Sequence, residues 1–205
     1  EITISRSQFL IKRVMDVAVS LIGLILLFPF FLLIGLIIRL DSPGPVVFRQ
    51  IRVGKDEHLF ACYKFRSMRQ GAEEEQRDLL DQNEVEGPVF KMREDPRITP
   101  VGRFLRRASL DELPQLINVL RGHMSLVGPR PAIPSEVQRY QAWHKRRLEV
   151  APGMTGLWQV SGRSELTFDE MVLLDLYYIE NWSPVMDVQI MLRTVPQVFV
   201  AKGAF

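Results

Sequence analysis

A long uncharged apolar run near the amino terminus constrains the fold of this chain more than any other feature. The run covers residues 17–38, and as a straight helix of about 22 residues it would measure about 33 Å. The hydrocarbon core of a bilayer is about 30 Å thick, so the run is long enough to cross it. Its length, and the basic segment that follows it, argue against a cleaved signal peptide. We therefore expect this part of the chain to lie in a membrane.

The charges around the apolar run argue against a simple crossing. Lys12 and Arg13 precede it and Arg39 follows it, so both ends carry the positive charge expected on the cytosolic side. Pro29 lies near the middle, where it removes a helix hydrogen bond. We predict a re-entrant helix-break-helix over residues 9–40 that enters and leaves the same leaflet. An ordinary spanning helix with a proline kink is the alternative.

Composition indicates one domain and a reducing location. The chain has 205 residues, of which 47% are hydrophobic, so it is long enough for one packed core and too apolar to be disordered. A single cysteine, Cys62, excludes an intrachain disulfide framework, and the three histidines lack zinc-site spacing. These features favour a cytosol-facing protein. Because residue 1 is Glu rather than Met, we expect the numbering to begin inside a longer chain.

Short patterns after the apolar run predict local structure. Apolar or alternating runs at residues 45–49 and 59–65 are separated by polar residues, which predicts a small β-hairpin. Residues 72–83 are acidic and have a helix-forming composition, which predicts a solvated helix. A basic helix is expected after residue 100, with Phe104 and Leu105 available for burial.

Two further helices are expected in the second half of the chain. The first has a buried apolar face and ends at Gly122, and the second lies near the carboxyl terminus. Apolar residues at helical spacing in the second helix suit either a membrane interface or packing on the core. The apolar residues of the first helix are Leu116, Ile117, Val119 and Leu120, and those of the second are Val188, Met191, Leu192, Val195 and Phe199.

An isolated acid pair is the main candidate for chemistry. Asp111 and Glu112 are the only carboxylates between residues 101 and 135, a stretch that also contains five arginines. A basic field with a nucleophile or metal ligand at its centre suits phosphoryl chemistry. The structural alternative is a capping box, since residues 109–112 fit the S/T-x-x-E pattern of a helix start. Neighbouring helical residues do not face the same point, so we expect divided roles, in which one carboxylate attacks and the other holds a metal.

A stiff turn beyond the acid pair offers one arginine to an anion. Arg130 lies between two prolines in residues 128–131 (GPRP). Its planar guanidinium can bind two phosphate oxygens, and the rigid flanks reduce the entropy lost on binding. Such turns are also common on protein surfaces, so the motif alone is weak.

Seven short blocks, present in order, resemble the bacterial sugar transferases, the monotopic polyprenyl-phosphate phosphoglycosyl transferases. The resemblance extends from about residue 9 to residue 203, and it is specific because of the order, since any single block would be weak. The blocks are Lys12-Arg13 with Asp16, residues 64–68 (KFRSM), 95–99 (DPRIT), 109–116 (SLDELPQL), 124–131 (MSLVGPRP), 152–156 (PGMTG) and 181–183 (NWS).

The resemblance implies a reaction that begins the synthesis of a surface glycan such as an exopolysaccharide, a capsule or an O-antigen. A sugar 1-phosphate moves from a UDP-sugar to polyprenyl (undecaprenyl) phosphate, and UMP is released. Asp111 is implied as the nucleophile of a ping-pong mechanism, and Glu112, with Asp111, as the ligand of Mg²⁺. The carboxyl-terminal blocks resemble most those of the family members that transfer glucose or galactose phosphate, so one of these sugars is expected.

Other residues are carried over from the family blocks with less specific roles. The implied phosphate-binding residues are Lys64, Arg66, Arg130 and Arg163. Asp175 and Asp187 match acidic positions and either lie in the site or orient a neighbouring arginine. The residues implied for the re-entrant membrane segment are Lys12, Arg13, Asp16, Pro29 and Arg39.

The expected fold is α+β and mostly helical, with a re-entrant membrane helix-break-helix, a small β-hairpin and interfacial amphipathic helices around a cytosolic active site. One catalytic domain is expected over residues 1–205, with residues 41–205 as its cytosolic and interfacial part. The implied location is the cytosolic face of the bacterial inner (cytoplasmic) membrane. Expected partners are the UDP-sugar, the polyprenyl phosphate and membrane phospholipids; a homo-oligomer is left open and no nucleic acid is expected. The rival functions are a non-catalytic membrane-seated scaffold and a glycosyltransferase that releases UDP.

Overall fold

The computed structural model describes residues 6–75, 79, 92, 94–162 and 166–200. The described part is mostly helical with two small sheets, as expected for an α+β fold. Its helices are α1 (Arg6–Asp41), α2 (Ala72–Glu75), α3 (Pro100–Arg107), α4 (Gln115–Leu120), α5 (Pro134–Val137), α6 (Ala142–Lys145), α7 (Leu157–Ser161), α8 (Phe168–Glu180) and α9 (Pro184–Val200). Its strands are β1 (Val47–Val53), β2 (Leu59–Phe65), β3 (Ser125–Val127) and β4 (Gly153–Thr155).

Helix α1 contains the whole apolar run and continues through Pro29. By length and composition it could cross a membrane, and only 11% of its most apolar window is buried against the protein, unlike the core helix of a soluble domain. The predicted helix-break-helix is corrected in one respect, because the helical turns are not interrupted at Pro29. A proline removes one hydrogen bond, and apolar neighbours on both sides still favour the helix where water cannot compete for backbone groups.

One stripe of α1 faces the rest of the protein and the remaining faces are apolar and exposed. Asp16, Ser20, Ile34 and Ile38 are buried and are separated by 4, 14 and 4 residues, which are close to one, four and one helical turns, as one helix face requires. The exposed side chains include Leu21, Ile22, Ile25, Leu26, Phe28, Phe30, Leu32, Leu33 and Leu36. A continuous apolar surface of this kind indicates contact with lipid.

A charged network holds the amino-terminal end of α1. Lys12 Nζ lies 2.6 Å from a carboxylate oxygen of Asp187 and donates to the Val127 carbonyl at 3.0 Å. Tyr178 completes the network by donating its hydroxyl to Asp187 at 2.7 Å. These partners lie in β3, α8 and α9, so the Lys12 network joins the membrane helix to three other elements.

Two more charged residues of α1 bind backbone groups nearby. Arg13 donates to the carbonyls of Val119 and Leu120 at the end of α4, at 2.6 and 2.7 Å. Asp16 accepts a hydrogen bond from the backbone N–H of Leu126 at 2.9 Å. Because these partners are backbone groups, the helix end is fixed to the course of the chain in α4 and β3.

The carboxyl-terminal end of α1 is held by Arg66. Its guanidinium donates to the carbonyl of Ser42 at 2.5 Å and to that of Pro45 at 2.7 Å. Arg39 adds a bond to the Gly44 carbonyl at 2.9 Å. Both ends of α1 are therefore bound to the same folded body.

The predicted hairpin is confirmed. Strands β1 and β2 are antiparallel, and the register pairs Phe48 with Lys64, Gln50 with Cys62, and Arg52 with Phe60. Opposite residues of an antiparallel pair point to the same face of a sheet. Lys64, Cys62 and Arg52 therefore share one face of the hairpin.

A buried amide joins the hairpin to α4. Asn118 is fully buried, accepts a hydrogen bond from the Tyr63 N–H at 2.9 Å and donates to the Ala61 carbonyl at 2.7 Å. Its side chain thus bonds the free edge of β2 as a neighbouring strand would. Because Lys64 is next to Tyr63, this contact sets the position of Lys64 relative to the chain that leads into α4.

The main core lies between the hairpin, α4, β3 and the two carboxyl-terminal helices. Strands β3 and β4 form a parallel pair, and no strand was predicted from the sequence at either position. Helix α9 fits both alternatives considered for it, because Ile190 is buried in this core while Val188 and Leu192 are exposed. The side chain of Phe199 lies outside the described residues.

One expectation about local structure is wrong, and another falls largely on residues that the structure does not describe. Leu105 in α3 is buried as expected, but Phe104 is 65% exposed. Adjacent residues of a short helix point in directions about 100° apart, so both cannot enter one core. Of the predicted acidic helix at residues 72–83, the structure describes α2 and little of the rest.

Replacing Asp187 by asparagine should destabilise the protein by about 3 kcal/mol, because the Lys12 ammonium would remain buried without its counter-charge. Chemical or thermal unfolding in detergent micelles measures this loss. The double variant Lys12→Met/Asp187→Leu should recover much of it, since no charge remains buried. The exposed acid Glu149 provides a control as Glu149→Gln. Equal losses in the single and double variants would contradict this role of the ion pair.

Candidate active site

The acid pair lies in a turn between α3 and α4. Thr99 caps the start of α3, and the helix ends with Ser109 in the left-handed region at φ 53° and ψ 21°. The chain then forms a 3-10 turn at Leu110–Glu112 before α4 begins. The acids therefore precede α4 instead of forming its first turn.

The capping-box alternative is wrong. The side chain of Ser109 makes no capping hydrogen bond, and the side chain of Glu112 binds Lys64 instead of the Ser109 backbone. The physical reason is that Ser109 serves the preceding helix: its left-handed conformation closes α3, and its N–H bonds the Arg106 carbonyl at 2.9 Å.

The two acids occupy unlike environments. Asp111 is buried, with 7% of its surface exposed, whereas the side chain of Glu112 is 34% exposed. Lys64 Nζ lies 2.5 Å from a carboxylate oxygen of Glu112. Among the described residues, no basic side chain lies within ion-pair distance of the Asp111 carboxylate. The two acids therefore differ in both exposure and cationic partner, and their division of roles stays a prediction.

The surroundings move the two carboxyl pKa values in opposite directions. Burial acts to raise the pKa of Glu112, but the Lys64 ammonium, assisted by more distant arginines, outweighs it and holds that pKa below its ordinary value. Burial also raises the pKa of Asp111, and the negative charge of Glu112 adds to this effect. Lys64 and Arg106 oppose the rise at Asp111 without cancelling it.

Arg130 lies in the loop after β3, with its charge near the acid pair. Its guanidinium binds both carboxylate oxygens of Glu136, at 2.9 and 3.3 Å, and its side chain remains 28% exposed. Arg130 also acts electrostatically on Glu112. The structure thus brings two of the predicted phosphate-binding residues, Lys64 and Arg130, to the acid pair.

Two further arginines near the acids were not among the predicted site residues. Arg106 donates from Nε to the Ser67 hydroxyl at 2.9 Å and acts on Asp111. Arg52 is buried on the same hairpin face as Lys64 and acts on Glu112. Sequence alternation could not have identified Arg52, because it lies beyond the predicted run of residues 45–49 and only the pairing register shows that it shares a face with Lys64.

Arg66 and Asp187 serve the anchoring of α1. The contacts of Arg66 go to the carbonyls that follow α1, and those of Asp187 go to Lys12 and Tyr178. Neither residue is among the groups that shift the pKa of either acid. The structure therefore does not place these two predicted residues at the acid pair.

Asp175 orients an arginine, one of the two alternatives proposed for it. Its carboxylate binds the guanidinium of Arg147, and both side chains are almost completely buried. Burial raises the pKa of Asp175 to about 6 against the attraction of Arg147. Arg147 also donates to the Tyr140 hydroxyl at 3.3 Å. Arg163 lies outside the described residues.

The donor set at this site suits Mg²⁺ better than a metal that needs a complete protein cage. The described residues contain no group of three or more His, Cys, Asp or Glu side chains that could hold a metal ion. Asp111 and Glu112 offer two carboxylates, and Mg²⁺ commonly binds one or two carboxylates together with water and phosphate oxygens. Asp111 and Glu112 are therefore the residues that would hold Mg²⁺ if it bound here.

Comparisons with known proteins give consistent results. The model of the bacterial sugar transferase family matches residues 7–201. The galactosyl transferase CpsE of Streptococcus agalactiae is 47% identical over 199 residues, which cover 97% of this chain and 44% of that protein. The undecaprenyl-phosphate galactose phosphotransferase of Salmonella typhimurium is 43% identical over 204 residues, or 98% of this chain and 43% of that protein.

A shorter relative is matched over nearly its whole length. The exopolysaccharide production protein PSS of Rhizobium leguminosarum is 44% identical over 200 residues, which cover 92% of this chain and 94% of that protein. The chain thus spans less than half the length of the first two relatives and almost all of the third. With a family match that covers most of its residues, the chain belongs to the bacterial sugar transferase family.

Proposed function

We propose that this protein transfers a sugar 1-phosphate from a UDP-sugar to polyprenyl phosphate. The observation that carries the proposal is the unlike acid pair: Glu112 is bound by Lys64, and the neighbouring Asp111 is buried without a cationic partner among the described residues. Relatives named as undecaprenyl-phosphate galactose and glucose phosphotransferases support the acceptor and the group transferred. We place the reaction at the start of the synthesis of a surface glycan.

In the first step Asp111 acts as the nucleophile. A carboxylate oxygen attacks the phosphorus that bears the sugar, and the bond from that phosphorus to the bridging oxygen breaks. The bridging oxygen leaves with its electron pair as part of UMP. A carboxylate without a tight ion pair suits this role, because it keeps its electron density for the phosphorus until substrate binds.

In the second step the phosphosugar leaves Asp111. An oxygen of the polyprenyl phosphate attacks the same phosphorus, and the bond between phosphorus and the carboxylate oxygen breaks. The products are polyprenyl-diphosphate-sugar and a regenerated Asp111 carboxylate. One side chain thus serves a water-soluble donor and a membrane acceptor in turn, as a ping-pong mechanism requires.

The cations near the acids reduce the charge repulsion between Asp111 and a diphosphate. Lys64 and Arg130 are the described residues that we assign to substrate phosphates, and Glu112, with Asp111, is the group that we assign to Mg²⁺. Bound Mg²⁺ would neutralise phosphate charge and improve UMP as a leaving group. Lys64 holds one Glu112 oxygen and so orients the carboxylate before a metal arrives.

We also propose that α1 bends at Pro29 without losing its helical turns and enters and leaves the same leaflet, so that the protein is monotopic on the cytosolic face of the inner membrane. From Lys12 to Arg39 a straight helix would extend about 40 Å, more than the thickness of the hydrocarbon core. The ends of α1 nevertheless contact one body, through Asp187 at one end and Arg66 at the other. A folded body cannot occupy both sides of a bilayer, which supports the single-leaflet arrangement over a crossing.

Product analysis tests the reaction. Detergent-solubilised protein with UDP-glucose or UDP-galactose, polyprenyl phosphate and Mg²⁺ should release UMP. Release of UDP would indicate a glycosyltransferase, and release of neither would favour a scaffold. Asp111→Asn should lower turnover at least about 1,000-fold and abolish any radiolabelled sugar-phosphate adduct on the protein. Normal turnover by this variant would place the nucleophile elsewhere.

The Lys64→Met variant should move the acid limb of the kcat/KM profile to higher pH. Lys64 lowers the pKa of both Glu112 and Asp111, so its removal favours their protonated forms and requires a higher pH to ionise them. The pH–rate profile measures the shift. Lys145→Met is the matched control, because Lys145 is an exposed lysine paired with Glu57. An acid limb that stays in place would show that Lys64 does not control the acid pair.

Labelling of introduced cysteines tests the membrane arrangement. In a Cys62→Ser background, Ser7→Cys and Pro43→Cys place one thiol before and one after the apolar part of α1. An impermeant maleimide should reach both from the cytosolic side in inverted membrane vesicles and neither in spheroplasts. Arg139→Cys, on the exposed surface of the folded body, reports which side that body occupies. Opposite accessibility of positions 7 and 43 would establish a crossing helix.

A further inference from the structure

Arg52 is a buried cation on the active-site face of the hairpin. It lies on the face that carries Lys64, across the hairpin from Phe60, and only 9% of its surface is exposed. Arg49, on the same strand, points to the opposite face and is exposed. One strand thus carries two arginines in contrasting settings, and only Arg52 lies among the residues of the site.

Among the described residues, no carboxylate forms an ion pair with Arg52. Its guanidinium donates to the Pro131 carbonyl at 2.8 Å and to the side-chain oxygen of Gln50. Its Nε–H is buried and has no acceptor among the described residues. Burying a charge with only neutral partners is costly, so a residue kept in this state suggests a role other than stability.

The neighbours of Arg52 do not supply the missing charge. Glu136 is bound by Arg130, and Glu112 is bound by Lys64. Burial, followed by the repulsion of Arg130, lowers the pKa of Arg52 to about 10, so it remains positively charged at neutral pH. Counting only residues that the structure describes, four cations lie near three carboxylates: Arg52, Lys64, Arg106 and Arg130 near Asp111, Glu112 and Glu136.

We propose that Arg52 binds a phosphate group of a substrate and shares it with Arg130. A phosphate would bring the negative charge that Arg52 lacks, and the planar donors of both guanidiniums suit its oxygens. The inference rests on the proposed function, which supplies two sources of that group: the nucleotide donor and the lipid acceptor. It adds to that function a phosphate-binding residue in β1, outside the acid turn and the GPRP loop.

The backbone contact of Arg52 suggests a rival, purely structural role. Its bond to Pro131 joins β1 to the loop that carries Arg130, and Val53 and Ala132 make a backbone bond beside it at 2.8 Å. If Arg52 only fastens this loop, its loss should weaken binding of all ligands together with folding. If Arg52 binds phosphate, the loss should be confined to ligands that carry a phosphate.

Equilibrium binding by calorimetry separates these roles without turnover. The full chain in detergent is titrated with UMP, with uridine and with a short-chain isoprenyl phosphate, for the unchanged protein and for Arg52→Met, Arg52→Lys and Arg49→Met. Arg52→Met should bind one of the two phosphate ligands about 10- to 100-fold more weakly and bind uridine normally. Arg52→Lys keeps the positive charge but not the planar guanidinium donors, so its affinity for the phosphate ligand should fall less than that of Arg52→Met. Arg49→Met should match the unchanged protein.

The pattern of losses identifies the source of the phosphate. Weaker binding of UMP assigns Arg52 to the donor phosphate, and weaker binding of the isoprenyl phosphate assigns it to the acceptor phosphate. Weaker binding of both supports a single phosphate-binding site that the donor and the acceptor occupy in turn. Unchanged affinity for both ligands, or an equal loss for uridine, would overturn the proposal. If Arg52→Met does not fold, Arg52→Lys decides by the same comparison. Failure of the proposed reaction would appear separately, as absence of UMP release by the unchanged protein.

Discussion

The attachment of a charged helix end to the folded body is the constraint on which the rest of the structure depends. Lys12, Arg13 and Asp16 lie at the start of a helix that is otherwise apolar, and their partners come from α4, β3, α8 and α9. Buried charges are tolerated only when they are paired and hydrogen-bonded, so these contacts allow one arrangement of the body on the helix. Asp16 binds the backbone of β3, and the loop with Arg130 follows directly. The membrane helix therefore helps to position a residue of the site.

Two unusual local choices fix the acid pair within that frame. Ser109 adopts a left-handed conformation that few residues other than glycine take, and it turns the chain so that Asp111 faces inward. Asn118 then ties the following helix to the edge of β2, which brings Lys64 to Glu112. The opposite pKa shifts of the two adjacent carboxyl groups follow from this geometry. Glu112 is paired with Lys64, whereas Asp111 is buried without an ion-pair partner among the described residues.

Local sequence patterns predicted secondary structure and the candidate acids, whereas contacts between residues far apart in the sequence could not be predicted. Alternation predicted the hairpin, the apolar run predicted α1, and the isolation of the acids among arginines identified them as the candidate site. The capping-box alternative failed because a four-residue pattern does not reveal that Lys64, 48 positions away, binds Glu112. Arg66 was assigned to phosphate and Asp187 to the site or to an arginine for a similar reason, since the partners that the structure gives them lie at the two ends of α1. Arg52 was missed because the predicted first run of the hairpin, residues 45–49, ended before it, and because the strand register that places it on the face of Lys64 cannot be read from the sequence.

The wide sequence separation of the Lys12 network has a consequence for biosynthesis. Lys12 is made 175 residues before Asp187, its counter-charge, and domains generally fold as units once their chain is available. Until α9 leaves the ribosome, the Lys12 ammonium lacks this counter-charge and is stable only in water or among lipid headgroups. The contact between Lys12 and Asp187 therefore forms after those of Arg13, Asp16 and Arg66, whose partners are made earlier, and a translation product interrupted before α9 would carry an inserted helix in which Lys12 lacks its counter-charge.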